Sequence, residues 1–173
     1  MEPTGVTRSA IAGEHSPTTD TYRYAARAIE EADYLLVATG AGFSADSSLP
    51  VYDDIAAVPA YSRKGLTYSD LCRGSLLDDD PSAFYGFWGQ CYNMYQDASP
   101  HEGYAILARW FKRLNQRQSS APLPASGLRH FVYTSNVDGH HRRAGAEEAA
   151  LLEVHGCLDC WVCNADQPNR TSH

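Results

Sequence analysis

The feature that most constrains this chain is a strand that runs into a glycine turn: the apolar stretch Tyr34-Leu-Leu-Val-Ala38 is followed directly by Thr39-Gly40-Ala41-Gly42. A short apolar run bounded by glycines reads as a buried strand. The pattern recurs where His130-Phe-Val-Tyr-Thr134 leads into Ser135-Asn-Val-Asp-Gly139, and a third strand segment is expected from Leu151 to His155. Helical patterns separate these runs. Tyr22, Ala25, Ala26 and Ile29 share one face of a helix expected over Thr21 to Ala32. Asp80 as N-cap with Pro81 in the first position opens a helix that places Phe84, Phe87, Trp88 and Cys91 together. Ser99 and Glu102 form a capping box for a further helix burying Leu107, Trp110, Phe111 and Leu114, ended by a polar linker from Asn115 to Gly127. Strands alternating with helices predict an α/β fold, a Rossmann-like parallel sheet with flanking helices. From Ser44 to Leu77 the pattern breaks at Pro50, Pro59, Gly65 and Gly74, which predicts a long functional loop with short helical turns.

With 173 residues and 43% hydrophobic side chains, the chain has the size and composition of one globular domain. Its 14 basic against 21 acidic residues give a formal charge of −7, which argues against direct nucleic-acid or anionic-membrane binding and favours a small or peptide ligand. No apolar run approaches the roughly 20 residues of a membrane span. Residues 1–20 lack the apolar core of a secretory signal and predict a disordered tail. Five cysteines, three of them at Cys157, Cys160 and Cys163, do not form the spread, even framework of a disulfide scaffold. A reducing compartment, cytoplasm or nucleus, is expected.

Gly40-Ala-Gly-Phe-Ser-Ala45 fits the small-residue pattern that lets backbone amides approach a pyrophosphate after a strand. By itself it fits a ligand-free tight turn equally well. No acidic residue closes a second strand about 20 positions later, as a dehydrogenase requires. Asn136 and Asp138 follow a strand's C-terminal end, where open α/β sheets bind ligands, although an Asx turn also uses such residues there. Cys160-Trp-Val-Cys163 is a Cys-x-x-Cys pair, but closed zinc sites take four ligands, so Cys157, Asp166, His173 or another chain would have to contribute. Unligated cysteines are the alternative. His140 and His141 read as structural or surface residues, and Arg142 and Arg143 as solvated ones.

Three segments in order carry a family resemblance: Gly40-Ala-Gly-Phe-Ser-Ala-Asp-Ser-Ser-Leu-Pro-Val-Tyr52, Thr134-Ser-Asn-Val-Asp-Gly-His-His-Arg-Arg-Ala-Gly145, and Val154-His155-Gly156. Together they resemble the NAD-binding loop, the T-Q-N-x-D-x-L-H segment and the catalytic His-Gly of the sirtuins (Sir2 family), over roughly residues 22–165. The resemblance implies an NAD-binding Rossmann-like domain over 21–156 and the start of a degenerate zinc module over 157–173. It implies NAD-dependent deacylation of an acylated lysine on a protein or peptide, yielding nicotinamide and O-acyl-ADP-ribose. NAD would lie on Gly40, Ala41, Gly42, Ser44, Tyr52, Ser135, Asn136 and Asp138. Catalysis would rest on Asn136, Asp138 and His155, with His155 as general base, a role for which imidazole is well suited near neutral pH. Zinc would be held by Cys160 and Cys163, one pair of an incomplete set.

Departures accompany the matches. The arginine that closes the family's first loop is replaced by Asp53, its glycine by Ser48, and the glutamine of the second segment by Ser135. The family's later strands are not present, which leads us to expect an exposed sheet edge, an uncovered apolar face and a complementing chain or oligomer. The alternatives to a deacylase are an NAD hydrolase or ADP-ribosyltransferase, and a non-catalytic NAD- or ADP-ribose-binding remnant.

Overall fold

A computed structural model describes residues 18–50 and 58–161. The tail expected over 1–20 falls almost wholly outside these residues, as do Tyr52, Asp53, Cys163, Asp166 and His173. Two compact units are distinguished, residues up to Ala32 and residues from Asp33 onward. The first contributes α1 (Thr19–Glu31), whose N-cap Thr18 accepts from the Thr21 amide through its side chain.

The second unit is built on three parallel strands in the order β1 (Leu35–Thr39), β2 (His130–Thr134) and β3 (Leu151–Glu153). Leu35 pairs with His130 and Thr39 with Thr134, while Val132 pairs with Leu151. Parallel pairing aligns the C-terminal ends of β1 and β2, so the turns after Thr39 and Thr134 emerge side by side. The alternation of side chains along a strand then separates two faces. Leu35, Val37, Val132 and Leu151 face Leu107 and Phe111 of α7 (Glu102–Gln116) in one core. The other face presents Leu36, Phe131, Tyr133 and Leu152, all exposed.

A second core lies among helices. Short α3 (Pro59–Arg63), α4 (Tyr68–Cys72) and α5 (Leu76–Asp79) bring Tyr61, Leu71 and Leu76 against Ala83, Phe87 and Cys91 of α6 (Pro81–Asp97). The stretch expected to be a loop with helical turns is, over 58–79, a packed module. Its helices are too short to show a periodic stripe, but local caps delimit them: Pro59 sits in the first turn of α3, and Thr67 and Asp70 form a reciprocal capping box on α4. As the sequence suggests, Asp80 caps α6 by accepting from the Ala83 amide at 3.0 Å. Its carboxyl is held below the usual carboxylate range by the Lys64 ammonium beside it and by that amide.

Two helix details depart from expectation. The N-cap of α7 is His101, whose side chain accepts from the Gly103 amide, so the cap falls two residues after Ser99. Trp110 lies toward solvent, and Tyr104 takes the buried position on α7 instead. A stripe at i, i+3 and i+4 is wider than the strip one sheet face covers, so its margin stays wet. The linker after α7 is secured by Arg129, which donates to the Ala121 carbonyl at 3.0 Å, and by Tyr34, which donates to the Pro122 carbonyl.

Candidate functional site at the ends of the parallel strands

Gly40 leaves β1 extended and forms the N-cap of α2 (Ala41–Ala45), a single turn of small residues around Phe43. A Cβ on Gly40 would lie 3.3 Å from the Ser135 hydroxyl, so glycine here lets the two loops approach. Gly42 faces open space, with no atom within 4 Å of where its Cβ would be. At the end of the loop Ser48 adopts φ 63°, a left-handed conformation that glycine takes without strain.

The loops are joined by one polar network. Ser44 donates through its hydroxyl to Asp138 Oδ2 at 2.5 Å, and the Asn136 side-chain Nδ2 donates to Ser44 Oγ at 2.9 Å and to the Gly40 carbonyl at 3.0 Å. The His140 amide donates to Asp138 Oδ1 at 2.9 Å. Ser44, Asn136 and Asp138 are all buried. Among the described residues each Asp138 oxygen thus accepts one hydrogen bond, which leaves lone pairs to accept from a ligand hydroxyl. Underneath, Thr39 and Thr134 bond hydroxyl to hydroxyl at 2.8 Å, and Thr134 Oγ1 accepts the Asn136 amide at 3.1 Å. Ala41, Ser44, Ser135, Asn136, Val137 and Asp138 line a cavity of about 80 Å³.

Burial tunes the aromatic wall behind this network. The Tyr104 phenol is pushed up to about 12, chiefly by burial and further by Asp138. Tyr95, which also lines the cavity, is pushed up by burial and by the neighbouring Cys91 thiol. Burial depresses His140 and His141 as well, with Asp138 opposing it in both. Both rings are buried, so of the readings open for this pair the structural one applies. The arginines beside them are exposed but bonded: Arg143 donates to the Asp138 carbonyl at 3.0 Å and Arg142 to Glu153 at 2.7 Å. They are tethers of the second loop rather than free solvated charges.

His155 follows β3 on an exposed turn completed by Gly156 at φ 75°. It does not line the cavity beside Asp138. It lines a neighbouring one of about 250 Å³ with Cys72, Phe84, Trp88 and Leu158, and Val137 is common to both. The turn that follows is tied to the second loop, because the Leu158 amide donates to the Val137 carbonyl at 3.0 Å. A larger cavity of about 340 Å³ beside α7 is lined by none of the residues expected to bind NAD, catalyse or hold zinc.

For zinc, the donors do not fit among the described residues. Cys157 and Cys160 neighbour one another, and no group of three or more His, Cys, Asp or Glu side chains converges there. Cys163 lies outside those residues. Two thiols do not make a closed site. Among the described residues no helix is long and apolar enough to cross a membrane.

What sequence reading missed is the support beneath the site. Tyr95, Tyr104 and His101 carried no motif, and the sequence signal beside them was a glycine, Gly103, in the first turn of an otherwise strong helix pattern.

No family model matches the chain. It is 29% identical over 152 residues to the NAD-dependent protein deacylase 2 of Pseudomonas aeruginosa, covering 86% of this chain and 54% of that protein. It is 31% identical over 153 residues to the NAD-dependent protein deacylase 2 of Pseudomonas syringae pv. tomato, covering 86% and 56%. The chain thus spans about half the length of the curated relatives it matches. Among solved structures, a Sir2 homologue in complex with NAD superposes with a TM-score of 0.62 at 22% identity, covering 84% of this chain and 48% of that one. Sir2 bound to acetylated peptide superposes with a TM-score of 0.57 at 22% identity, covering 79% and 45%. At that identity the likeness establishes the α/β fold.

Proposed function

Because the chain belongs to the sirtuin (Sir2) family, of whose curated members it spans about half, we propose that it carries the NAD-binding portion of an NAD-dependent protein-lysine deacylase. The observation that carries this reading is the Asp138–Ser44–Asn136–Gly40 network, which joins the two family loops around a cavity at the ends of parallel strands.

NAD supplies an electrophilic ribose carbon that bears nicotinamide as a leaving group. Gly40, Ala41, Gly42 and Ser44 take its pyrophosphate side, since the open space over Gly42 leaves room for a phosphate to approach the backbone. Ser135, Asn136 and Asp138 orient the nicotinamide riboside, with Asp138 using its spare lone pairs on ribose hydroxyls. Tyr52, which the family resemblance assigns to NAD binding, lies outside the described residues. The acylated lysine of a protein or peptide enters the adjacent cavity, where Phe84, Trp88 and Leu158 exclude water and His155 accepts a proton from a ribose hydroxyl. Among the described residues Cys72, Cys91, Cys157 and Cys160 are free thiols, which fits a reducing compartment, cytoplasm or nucleus. The exposed apolar sheet face fits a complementing chain or further length of the fold.

The test is nicotinamide release from NAD, with and without an acetyl-lysine peptide, in the wild type and His155→Ala. Peptide-dependent release that falls at least about 100-fold in the variant, with ADP-ribose affinity kept within about twofold, is the expected result. Release independent of peptide would replace the deacylase by an NAD hydrolase or ADP-ribosyltransferase. ADP-ribose binding without release would leave a binding module, and neither binding nor release would overturn the reading.

A further inference from the structure

The glycine loop is held from outside by a residue that no motif includes. The His101 amide donates to Ser47 Oγ at 3.1 Å. The His101 imidazole bonds through both nitrogens: Nε2 donates to the Phe43 carbonyl at 2.8 Å, and Nδ1 accepts from the Gly103 amide at 2.9 Å. The Phe43 carbonyl lies in the last turn of α2 and the Gly103 amide in the first turn of α7, the places where helices leave acceptors and donors unpaired. One ring therefore caps two helices at once. It can do so only as the neutral Nε2–H tautomer, which those partners assign, since an imidazolium has no acceptor.

Two further observations belong to the same device. The Phe43 ring packs against both His101 and Tyr104, each at 4.7 Å between centroids. A Cβ at Gly103 would lie 2.3 Å from His101 Cε1 and 2.8 Å from Nδ1. Gly103 has no left-handed φ to account for it. Glycine is a poor helix residue, and here it stands where any side chain would expel the imidazole.

We propose that His101, seated by Gly103, is the positioning residue of the glycine loop: it ties the end of α2 to the start of α7 and keeps Gly40 to Ala45 in the shape that receives a dinucleotide. The ligand half of this inference rests on the NAD reading above. Loss of the tie lets Phe43 and Ser44 shift, and with Ser44 goes a partner of both Asn136 and Asp138.

His101→Asn separates this role from a purely structural one. Asparagine is a favoured N-cap, so it keeps α7 capped, but its shorter side chain cannot also reach the Phe43 carbonyl. Amide hydrogen exchange is measured at Ser47 and Ser48, whose amides donate to the Ser44 and Ala45 carbonyls. Calorimetric binding of ADP-ribose and thermal melting are measured on the same samples. The expected result for His101→Asn is a melting temperature near that of the wild type, exchange at Ser47 and Ser48 faster by about tenfold, and ADP-ribose affinity weaker by about tenfold. Gly103→Ala, which displaces the ring without removing it, should change exchange and affinity in the same direction. Wild-type exchange and affinity in both variants would overturn the proposal and leave the NAD reading in place. Faster loop exchange in both variants of a protein whose wild type binds no ADP-ribose would uphold the tie and overturn the NAD reading.

Discussion

At the scale of single residues, burial biases three histidines of the fold toward the neutral form. His130, His140 and His141 are all depressed below the ordinary histidine value, burial being the largest cause in each. His130 stacks on Phe111 at 4.1 Å and bonds Glu147 at 3.2 Å, and that carboxylate only partly offsets its burial. The unfolded chain binds protons on these rings below about pH 6.5 while the folded one resists, so stability is fully present above that pH. It falls as pH drops toward the folded-state values, by at most about 1.4 kcal/mol per pH unit for each histidine. Melting temperatures at pH 7.5 and 5.5 should differ in that direction, and His140→Leu should flatten the slope. A melting temperature independent of pH over this range would show that the rings titrate as they do in water.

At the scale of elements, α6 is the strut between the two cavities and the helical core. Phe87 is only 1% exposed, and it meets Tyr61, Tyr68 and Trp88 edge to face at 5.0 to 6.2 Å. Phe87→Ala should destabilise the chain by about 3–5 kcal/mol in a denaturant titration, a large part of the stability of a domain this size. A loss under about 1 kcal/mol would show that this core is loosely filled. The strand and long-helix expectations were legible because their periodicities extend over enough residues to stand out. Helices α3 to α5 were legible only as helical turns within a loop, since four or five residues cannot show the 3.6-residue period that would have revealed their packed faces. The displaced cap of α7 had a different cause: Ser99 and Glu102 have the right spacing, but His101 with Gly103 offers a closer partner to the same helix start.

At the scale of the second unit, the described residues cover the sheet on one face only. Leu36 stands beside Phe131, and Tyr133 beside Leu152, in a stripe that crosses all three strands on the face opposite α7. Leu36 is 69% exposed, far more than a strand leucine in a doubly covered sheet. The double variant Leu36→Thr, Leu152→Thr should bind markedly less anilinonaphthalene sulfonate, with stability changed by no more than about 1 kcal/mol, since surface substitutions typically cost within about 0.5 kcal/mol each. A large loss of stability would mean that this face is covered in solution.

The first two loop segments were readable from residue types, because a glycine turn after an apolar strand and a polar pair at a strand end are local patterns, whereas the third, around His155, and the order of all three were legible only through the family resemblance. The parallel α/β class was readable from residue types too, since it follows from alternating periodicities. Tertiary structure alone decided which of those residues meet: that Ser44 bridges Asn136 and Asp138, that His155 opens onto a neighbouring cavity, and that His101 ties the loop to α7. The physical reason is that such bonds depend on parallel register and on the space a missing Cβ leaves, and both are set by the packing of elements distant in sequence.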